Sequence, residues 1–247
     1  MLRVAVVIPA KNEQARIAAT VGGAASIPGV DLVLVVDDGS TDATAATAHE
    51  AGAVVIQHPS NRGKGAAMHS GAVAVDEIDR RQPAGDSSHA LLFLDGDLED
   101  TAATVAPLVV PVREGTADMT IATLPPQRVA GGGHGLVVRL AGSGIERATG
   151  WKPTQPLSGQ RCLTRTAFQA ALPLARGFGV EVGLTIDLLR QGYRVREVEV
   201  PLQHRVTGAD WRSQMHRGRQ WLDVARALLG RGVVPGRVLS RRRRQSS

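Results

Sequence analysis

Short apolar runs alternate with helix-patterned stretches through the first half of this chain, and that alternation constrains the fold more than any other feature. Strands are predicted at Arg3–Ile8, Leu32–Val36, Val54–Gln57, Ala90–Leu94 and Asp118–Ala122. Between them, helical patterning covers Glu13–Ala25, a segment capped by Ser40-Thr41-Asp42 and running to Gly52, Lys64–Val75, and Thr101–Val112 despite Pro107. Strands that are apolar along their whole length, rather than alternating, belong to a parallel sheet covered on both faces. The expected class is therefore α/β, with a mostly parallel, Rossmann-like sheet and helices on both faces. After Leu124 the texture changes. Pro125-Pro126 and Gly131-Gly132-Gly133 mark a connection, helices are predicted at Leu136–Ala148, Thr164–Ala171, Val180–Gln191 and Trp211–Leu229, and Tyr193–Val200 reads as one more strand. Trp151–Gly159, with Pro153 and Pro156, reads as a loop. No internal repeat is evident. One continuous domain is expected, with residues 1–123 as one half, 124–236 as a second half, and 237–247 as a basic, disordered tail.

Of the 247 residues, 43% are hydrophobic and only 3% aromatic, so the core must be built from Ala, Val, Leu and Ile. The apolar runs are far shorter than the roughly 18 residues of a membrane span. Met1-Leu2-Arg3-Val4 leads straight into a strand, with Pro9, Lys11 and Asn12 behind it, which is not a signal-peptide pattern. Cys162 is alone, so neither a disulfide framework nor a cysteine metal site is expected, and the compartment is expected to be the cytoplasm. Charge is uneven: residues 1–204 carry a net charge of −3 and residues 205–247, with 11 Arg against Asp210 and Asp223, a net of +9. A basic segment of this kind suits nucleic acid, an anionic membrane surface or solubility alone.

The chemistry is concentrated where strands end. Ala90-Leu91-Leu92-Phe93-Leu94 runs directly into Asp95-Gly96-Asp97. Open α/β sheets bind ligands at the carboxyl ends of their strands, and two carboxylates there are hard oxygen ligands for Mg²⁺ or Mn²⁺. Alone, the motif equally describes a solvated acidic turn. Pro9-Ala10-Lys11-Asn12-Glu13 follows the first strand and Asp37-Asp38-Gly39-Ser40 the second, so both face the same crevice. Carboxylates in these loops can accept from a base imide or from ribose hydroxyls; an ordinary turn and helix cap is the competing reading for the second. Asn61-Arg62-Gly63-Lys64-Gly65 opens a helix, where backbone N–H groups and Lys64 suit phosphate. It is not a Walker A loop, and no Gly-x-Gly-x-x-Gly follows the first strand.

In order and spacing, Val7–Glu13, Val35–Asp42, Asn61–Gly65 and Phe93–Asp97 resemble glycosyltransferase family 2 and related enzymes of the GT-A fold. The resemblance implies a nucleotide-sugar-dependent glycosyltransferase of GT-A type. In it Pro9, Ala10, Glu13, Asp38, Gly39, Ser40, Asp95 and Gly96 hold the donor nucleotide, Lys64 lies near the sugar or diphosphate, and Asp97 binds Mg²⁺ or Mn²⁺. In the second half, Gly131–Gly135, Gln155–Arg161, Gly177–Leu184 and Val200–Arg205 are similar to segments of the glucosyl-3-phosphoglycerate synthases. That likeness implies that His204 completes the metal shell and that Glu181 joins Lys64 and Asp97 in catalysis. It also implies that the Gly131–Gly135 loop contacts the acceptor. The residues themselves point to an anionic acceptor bound by Gly132, Gly133, His134, Ser158, Gly159 and Arg161: the glycines leave backbone N–H groups unshielded, and Arg161 adds a bidentate clamp if it points inward, a flexible hinge being the competing reading. His134 stands where those synthases carry an arginine, which leaves another acceptor open. The expected donor is UDP-glucose and the expected acceptor 3-phosphoglycerate or a related small acid. The alternative is a polyprenyl phosphate, with the basic C-terminus resting on the membrane as a peripheral contact. A homodimer is also anticipated. A nucleotidyltransferase lacks its glycine-rich basic loop here, and a specific nucleic-acid-binding protein lacks any recognition motif or stacking platform.

Overall fold

The structure, a computed structural model, describes residues 3–82, 88–124, 135–201 and 211–234, with only the backbone of 211–217. The first strand, β1 (Val4–Ala10), lies in the interior of a seven-stranded sheet, third from one edge. The chain then builds outward to one side through α1 (Ile17–Ala25), β2 (Val30–Asp37), α2 (Thr44–Glu50) and β3 (Val54–Gln57). α3 (Lys64–Arg80) returns it to the other side of β1, where β4 (Ala90–Phe93) pairs in parallel. A ten-residue 3₁₀ helix (Glu99–Leu108) and α4 (Val109–Arg113) lead to β5 (Met119–Thr123). α5 (Gly135–Thr149), β6 (Arg161–Leu163), α6 (Arg165–Ala170), α7 (Val180–Arg190), β7 (Val195–Glu199) and α8 (Trp211–Leu229) complete the order.

The sheet order is β3-β2-β1-β4-β6-β5-β7. All neighbouring pairs are parallel except those of β6, which runs antiparallel to both β4 and β5. The sheet is therefore mostly parallel, and strands from before and after residue 124 share it. Within β1, Val4, Val6 and Ile8 point into one apolar cluster with α1 and the 3₁₀ helix, while Ala5 and Val7 point into another with α3, α6 and α7. Both faces being covered is the reason the strands read as unbroken apolar runs. A third cluster joins α5, α7 and α8 through Ile145, Ile186 and Leu228.

Three local expectations differ from the structure. Residues 161–163, read as part of no strand, form β6, which bridges the two parallel parts of the sheet. Thr101–Val112, read as one helix, is mostly the 3₁₀ helix, with Pro107 inside it unable to donate a backbone hydrogen bond. α2 starts at Thr44 and not at a Ser40–Asp42 cap; Asp42 instead accepts from the Thr44 backbone N–H at 3.0 Å, closing a tight Asx turn. The tail at 237–247 lies outside the described residues. Among the described residues, no helix is long and apolar enough to cross a membrane.

Candidate active site

Strand order reverses between β1 and β4, because β2 and β3 build to one side and β4 opens the other. Loops diverge at such a switch point and leave a crevice beyond the strand ends. Pro9–Glu13 and Asp95–Asp97 flank it. Gly96 is packed so closely between them that an added Cβ would stand 3.3 Å from both Ala10 Cβ and Glu13 Cγ. Beyond these tips opens a cleft of about 350 Å³, lined by Pro9, Glu13, Lys64, Asp95, Gly96, Asp97 and Glu181. Lys11, Val137, Leu157, Phe178, Gln220 and Val224 complete the lining.

The first three loops are tied to one another rather than left loose. Asn12, in a left-handed conformation with φ of 55°, receives the Thr41 N–H on its Oδ1 at 2.9 Å, and its own N–H donates to Ser40 Oγ at 2.9 Å. The Glu13 N–H donates to Thr44 Oγ1 at 2.8 Å. Asp38, only 5% exposed, joins the second loop to the third. Its carboxylate accepts from the backbone N–H groups of Arg62 (2.8 Å) and Gly63 (2.7 Å) and from His58 Nδ1 (2.7 Å). Burial would raise the Asp38 pKa, but these donors outweigh it and hold the carboxyl below its ordinary value. Gly39 has φ of +70° and sits where a Cβ would strike the Ser60 backbone. Asp38 thus braces the second loop against the third, and Ser40 Oγ turns back onto Asp37 Oδ1.

Lys64, at the start of α3, is the centre of charge. Its Nζ lies 2.6 Å from Asp95 Oδ1 and 2.9 Å from Glu181 Oε1. Desolvation would lower the Lys64 pKa; the charges of Asp95 and Glu181, and their hydrogen bonds, more than reverse this and keep the ammonium protonated. The other oxygen of Asp95 accepts from Gln160 Nε2 at 2.8 Å. Gly159 makes this packing possible, because a Cβ there would lie 2.6 Å from both Asp95 Oδ2 and Lys64 Nζ. Glu181, in the first turn of α7, is 7% exposed.

Asp97 is different: it is exposed at the rim of the cleft. Its charge reaches Glu13, whose pKa is raised chiefly by burial, against Arg16, with a further contribution from Asp97. Among the described residues no group of three or more His, Cys, Asp or Glu side chains is placed to hold a metal ion. A single exposed carboxylate in a locally negative rim nevertheless fits Mg²⁺ or Mn²⁺, which bind through one or two carboxylates with substrate phosphates and water supplying the rest. His204 lies outside the described residues, as do Gly132, Gly133 and His134.

The structure brings together Pro9, Glu13, Lys64, Asp95, Gly96, Asp97 and Glu181 at one cleft, with Gly159 against the same cluster and Ala10 buried behind it. Ser158 is part of the turn behind it, its carbonyl accepting from Arg161 Nε at 2.9 Å. Arg161 corrects an expectation. It was expected to reach an acceptor, yet it is 1% exposed and its guanidinium is engaged within the protein. Nη1 donates to the Glu181 carbonyl (3.0 Å) and Thr185 Oγ1 (2.8 Å), and Nη2 to the Pro156 carbonyl (3.3 Å). Burial pulls its pKa down to about 10, opposed by Glu181, Glu197 and Asp95, so it is charged at neutral pH. Sequence reasoning also missed Gln160, whose only signal was its place in the Gln155–Arg161 segment, and His58, which opens the polar loop after β3.

Comparison with known proteins gives the family and the fold. The family model described as glycosyl transferase family 2 matches residues 5–152. Glucosyl-3-phosphoglycerate synthase of Mycobacterium tuberculosis is 31% identical over 208 residues, covering 74% of this chain and 60% of that protein. Glycosyltransferase AglJ of Haloferax volcanii is 31% identical over 215 residues, covering 84% of this chain and 65% of that protein. The chain thus spans less than two thirds of the length of these curated relatives. A crystal structure of the M. tuberculosis synthase with phosphoglyceric acid superposes with a TM-score of 0.75 at 28% identity, covering 95% of this chain and 81% of that one. The same enzyme has been crystallised with Mn²⁺, UDP and phosphoglyceric acid (TM-score 0.74, 26% identity, 95% and 80% covered). The seven-stranded, mostly parallel sheet with its helices has the GT-A architecture of those structures, and the chain belongs to glycosyl transferase family 2.

Proposed function

We propose that this chain is a divalent-metal-dependent glycosyltransferase that moves glucose from UDP-glucose to a small anionic acceptor such as 3-phosphoglycerate. The observation that carries the reading is a cation held charged between two carboxylates, Lys64 with Asp95 and Glu181, beside the exposed Asp97 in the cleft at the switch point of a family 2 fold. Residues 1–123 supply the donor side and residues 124–236 the acceptor side.

The braced loops at Pro9–Glu13 and Asp37–Ser40 hold the nucleoside, and Asp95 is close enough to the same crevice to receive ribose hydroxyls. Lys64 presents its ammonium to the diphosphate, and Asp95 and Glu181 fix where that charge stands. A preorganised charge of this kind stabilises the negative charge that develops as the diphosphate leaves. Asp97, with His204, would hold Mg²⁺ or Mn²⁺, which neutralises the diphosphate and makes it a better leaving group. The glucose and the acceptor rest on the likeness to a synthase crystallised with Mn²⁺ and UDP-glucose, and with phosphoglyceric acid. Gly132, Gly133 and His134 are the residues we propose for the acceptor.

A product assay tests this directly. UDP-glucose, GDP-glucose and GDP-mannose are each offered with Mn²⁺ to 3-phosphoglycerate, glycerate and a polyprenyl phosphate. Release of UDP with a glucosylated phosphoglycerate supports the reading; no nucleoside diphosphate released with any pair overturns it. The 11 arginines of residues 205–247 favour a second reading, a lipid-phosphate acceptor at an anionic membrane surface. Transfer to polyprenyl phosphate, together with cosedimentation with anionic vesicles, would select it.

A further inference from the structure

β6 is a three-residue strand, Arg161-Cys162-Leu163, wedged between β4 and β5, with Arg161 opposite Phe93 and Ile121. Both of those neighbours belong to an apolar cluster, so Arg161 occupies a core position. A buried cation is costly unless it is paired and its donors are satisfied. Here the direct oxygen partners are carbonyls and a hydroxyl, which compensate for lost hydration without the full attraction of a carboxylate. An apolar side chain of similar volume would fill the space at lower cost. What it could not do is join two backbone segments at once.

The two segments are the ones that shape the charge cluster. Nε and Nη2 hold the carbonyls of Ser158 and Pro156, which fixes the turn that presents Gly159 and Gln160 to Asp95. Nη1 holds the carbonyl of Glu181, the residue whose carboxylate contacts Lys64. Thr185 Oγ1 accepts from Nη1 and itself donates to the same Glu181 carbonyl at 2.8 Å, closing the bracket from the α7 side. We propose that Arg161 is a positioning residue for transfer: it spaces the Ser158–Gln160 turn from the start of α7 and so sets where Asp95 and Glu181 hold the Lys64 ammonium. It acts on the rate of the bound complex and not on acceptor affinity. The inference rests on the glycosyltransferase reading above.

The test compares Arg161→Lys, Arg161→Met and Thr185→Val with the unsubstituted chain, reading kcat, both KM values and the melting temperature. A displacement of about 1 Å in a positioning element costs up to about 100-fold in rate. Arg161→Lys keeps the charge but loses the planar fork, and it should lower kcat about 10- to 100-fold while both KM values stay within about 2-fold. Thr185→Val should lower kcat by a smaller factor in the same pattern. Should Arg161→Met not fold, the other two variants carry the result. A several-fold rise in acceptor KM at unchanged kcat would make Arg161 an acceptor clamp and overturn the inference. So would a rate loss fully explained by the unfolded fraction at the assay temperature. An unsubstituted chain that transfers no sugar overturns the function itself; an active chain whose variants keep the full kcat overturns only the role given to Arg161.

Discussion

Two polar clusters sit at opposite ends of the four-residue strand β4, around His89 and Asp95, and they are built differently. Before the strand, His89 is buried with Asp79 against Nδ1 and Asp31 Oδ1 2.8 Å from Nε2. Arg3 adds to Asp31 at 2.5 Å, and Arg165 bridges Asp79 at 3.0 Å and Asp76 at 2.9 Å. There the polar groups face one another, and none of them lines the cleft beyond the other end of the strand. Beyond the strand, Asp95 and Glu181 hold Lys64 at the wall of a cleft, and Asp97 stands exposed at its rim. The residue types are much the same. What separates them is whether the charge is spent within the protein or left facing an open volume, and the sheet direction decides which end has the volume.

Substitutions should separate the two ends cleanly. The largest effect on activity is expected from Asp97→Ala: a loss of about 100- to 1,000-fold in kcat, with the melting temperature unchanged because the side chain is exposed. A melting temperature that falls along with activity would erase the distinction. At the other end, His89→Ala leaves Asp79 and Asp31 without their shared partner. Leaving the mostly buried Asp79 carboxylate without that hydrogen-bond partner costs about 1–3 kcal/mol, read by denaturant unfolding, while UDP affinity of the folded protein stays the same. Weakened UDP binding in that variant would show that the ends are coupled.

Asp38 lies between these extremes, a buried brace within the site. Its carboxyl is held below the ordinary 3.8, so the stability it contributes is fully present above that pH and is lost as pH falls through the lower folded value. Asp38→Asn should therefore flatten the acid limb of the stability curve below about pH 4 and raise the donor KM several-fold through the loosened Arg62–Gly63 backbone. An unaltered acid limb would remove the brace. The smallest effect is expected at Glu77, which pairs with Arg80 and Arg81 on the exposed face of α3. Glu77→Ala should leave stability within about 0.5 kcal/mol and activity unchanged, since exposed pairs contribute little.

Much of the top end of β4 was legible in the residues. An apolar run ending in Asp95-Gly96-Asp97, and polar loops after the first two strands, require only the rule that parallel strands present their carboxyl ends together. The two-sided core followed from strands with no polar alternation. Arg161 was not legible as a brace, because a charged residue next to a proline-rich loop looks exposed until β4 and β5 close on either side of it. β6 itself, three residues opening on that arginine, is too short for any periodicity to register. The bracing role of Asp38 was not legible, because nothing local shows that Arg62, Gly63 and His58, 20 to 25 positions away, turn toward it. In each case the deciding partner is distant in sequence.

The role proposed for the exposed Asp97 end of the strand is metal-dependent sugar transfer. The most direct measurement is UDP release from UDP-glucose with 3-phosphoglycerate, followed during removal of divalent metal with EDTA and its restoration with Mn²⁺, in the unsubstituted chain and in Asp97→Ala. UDP release should stop with EDTA and return with Mn²⁺ in the former, and stay near background throughout in the latter. Full release in excess EDTA, or an Asp97→Ala variant as active and as metal-responsive as its parent, would contradict it.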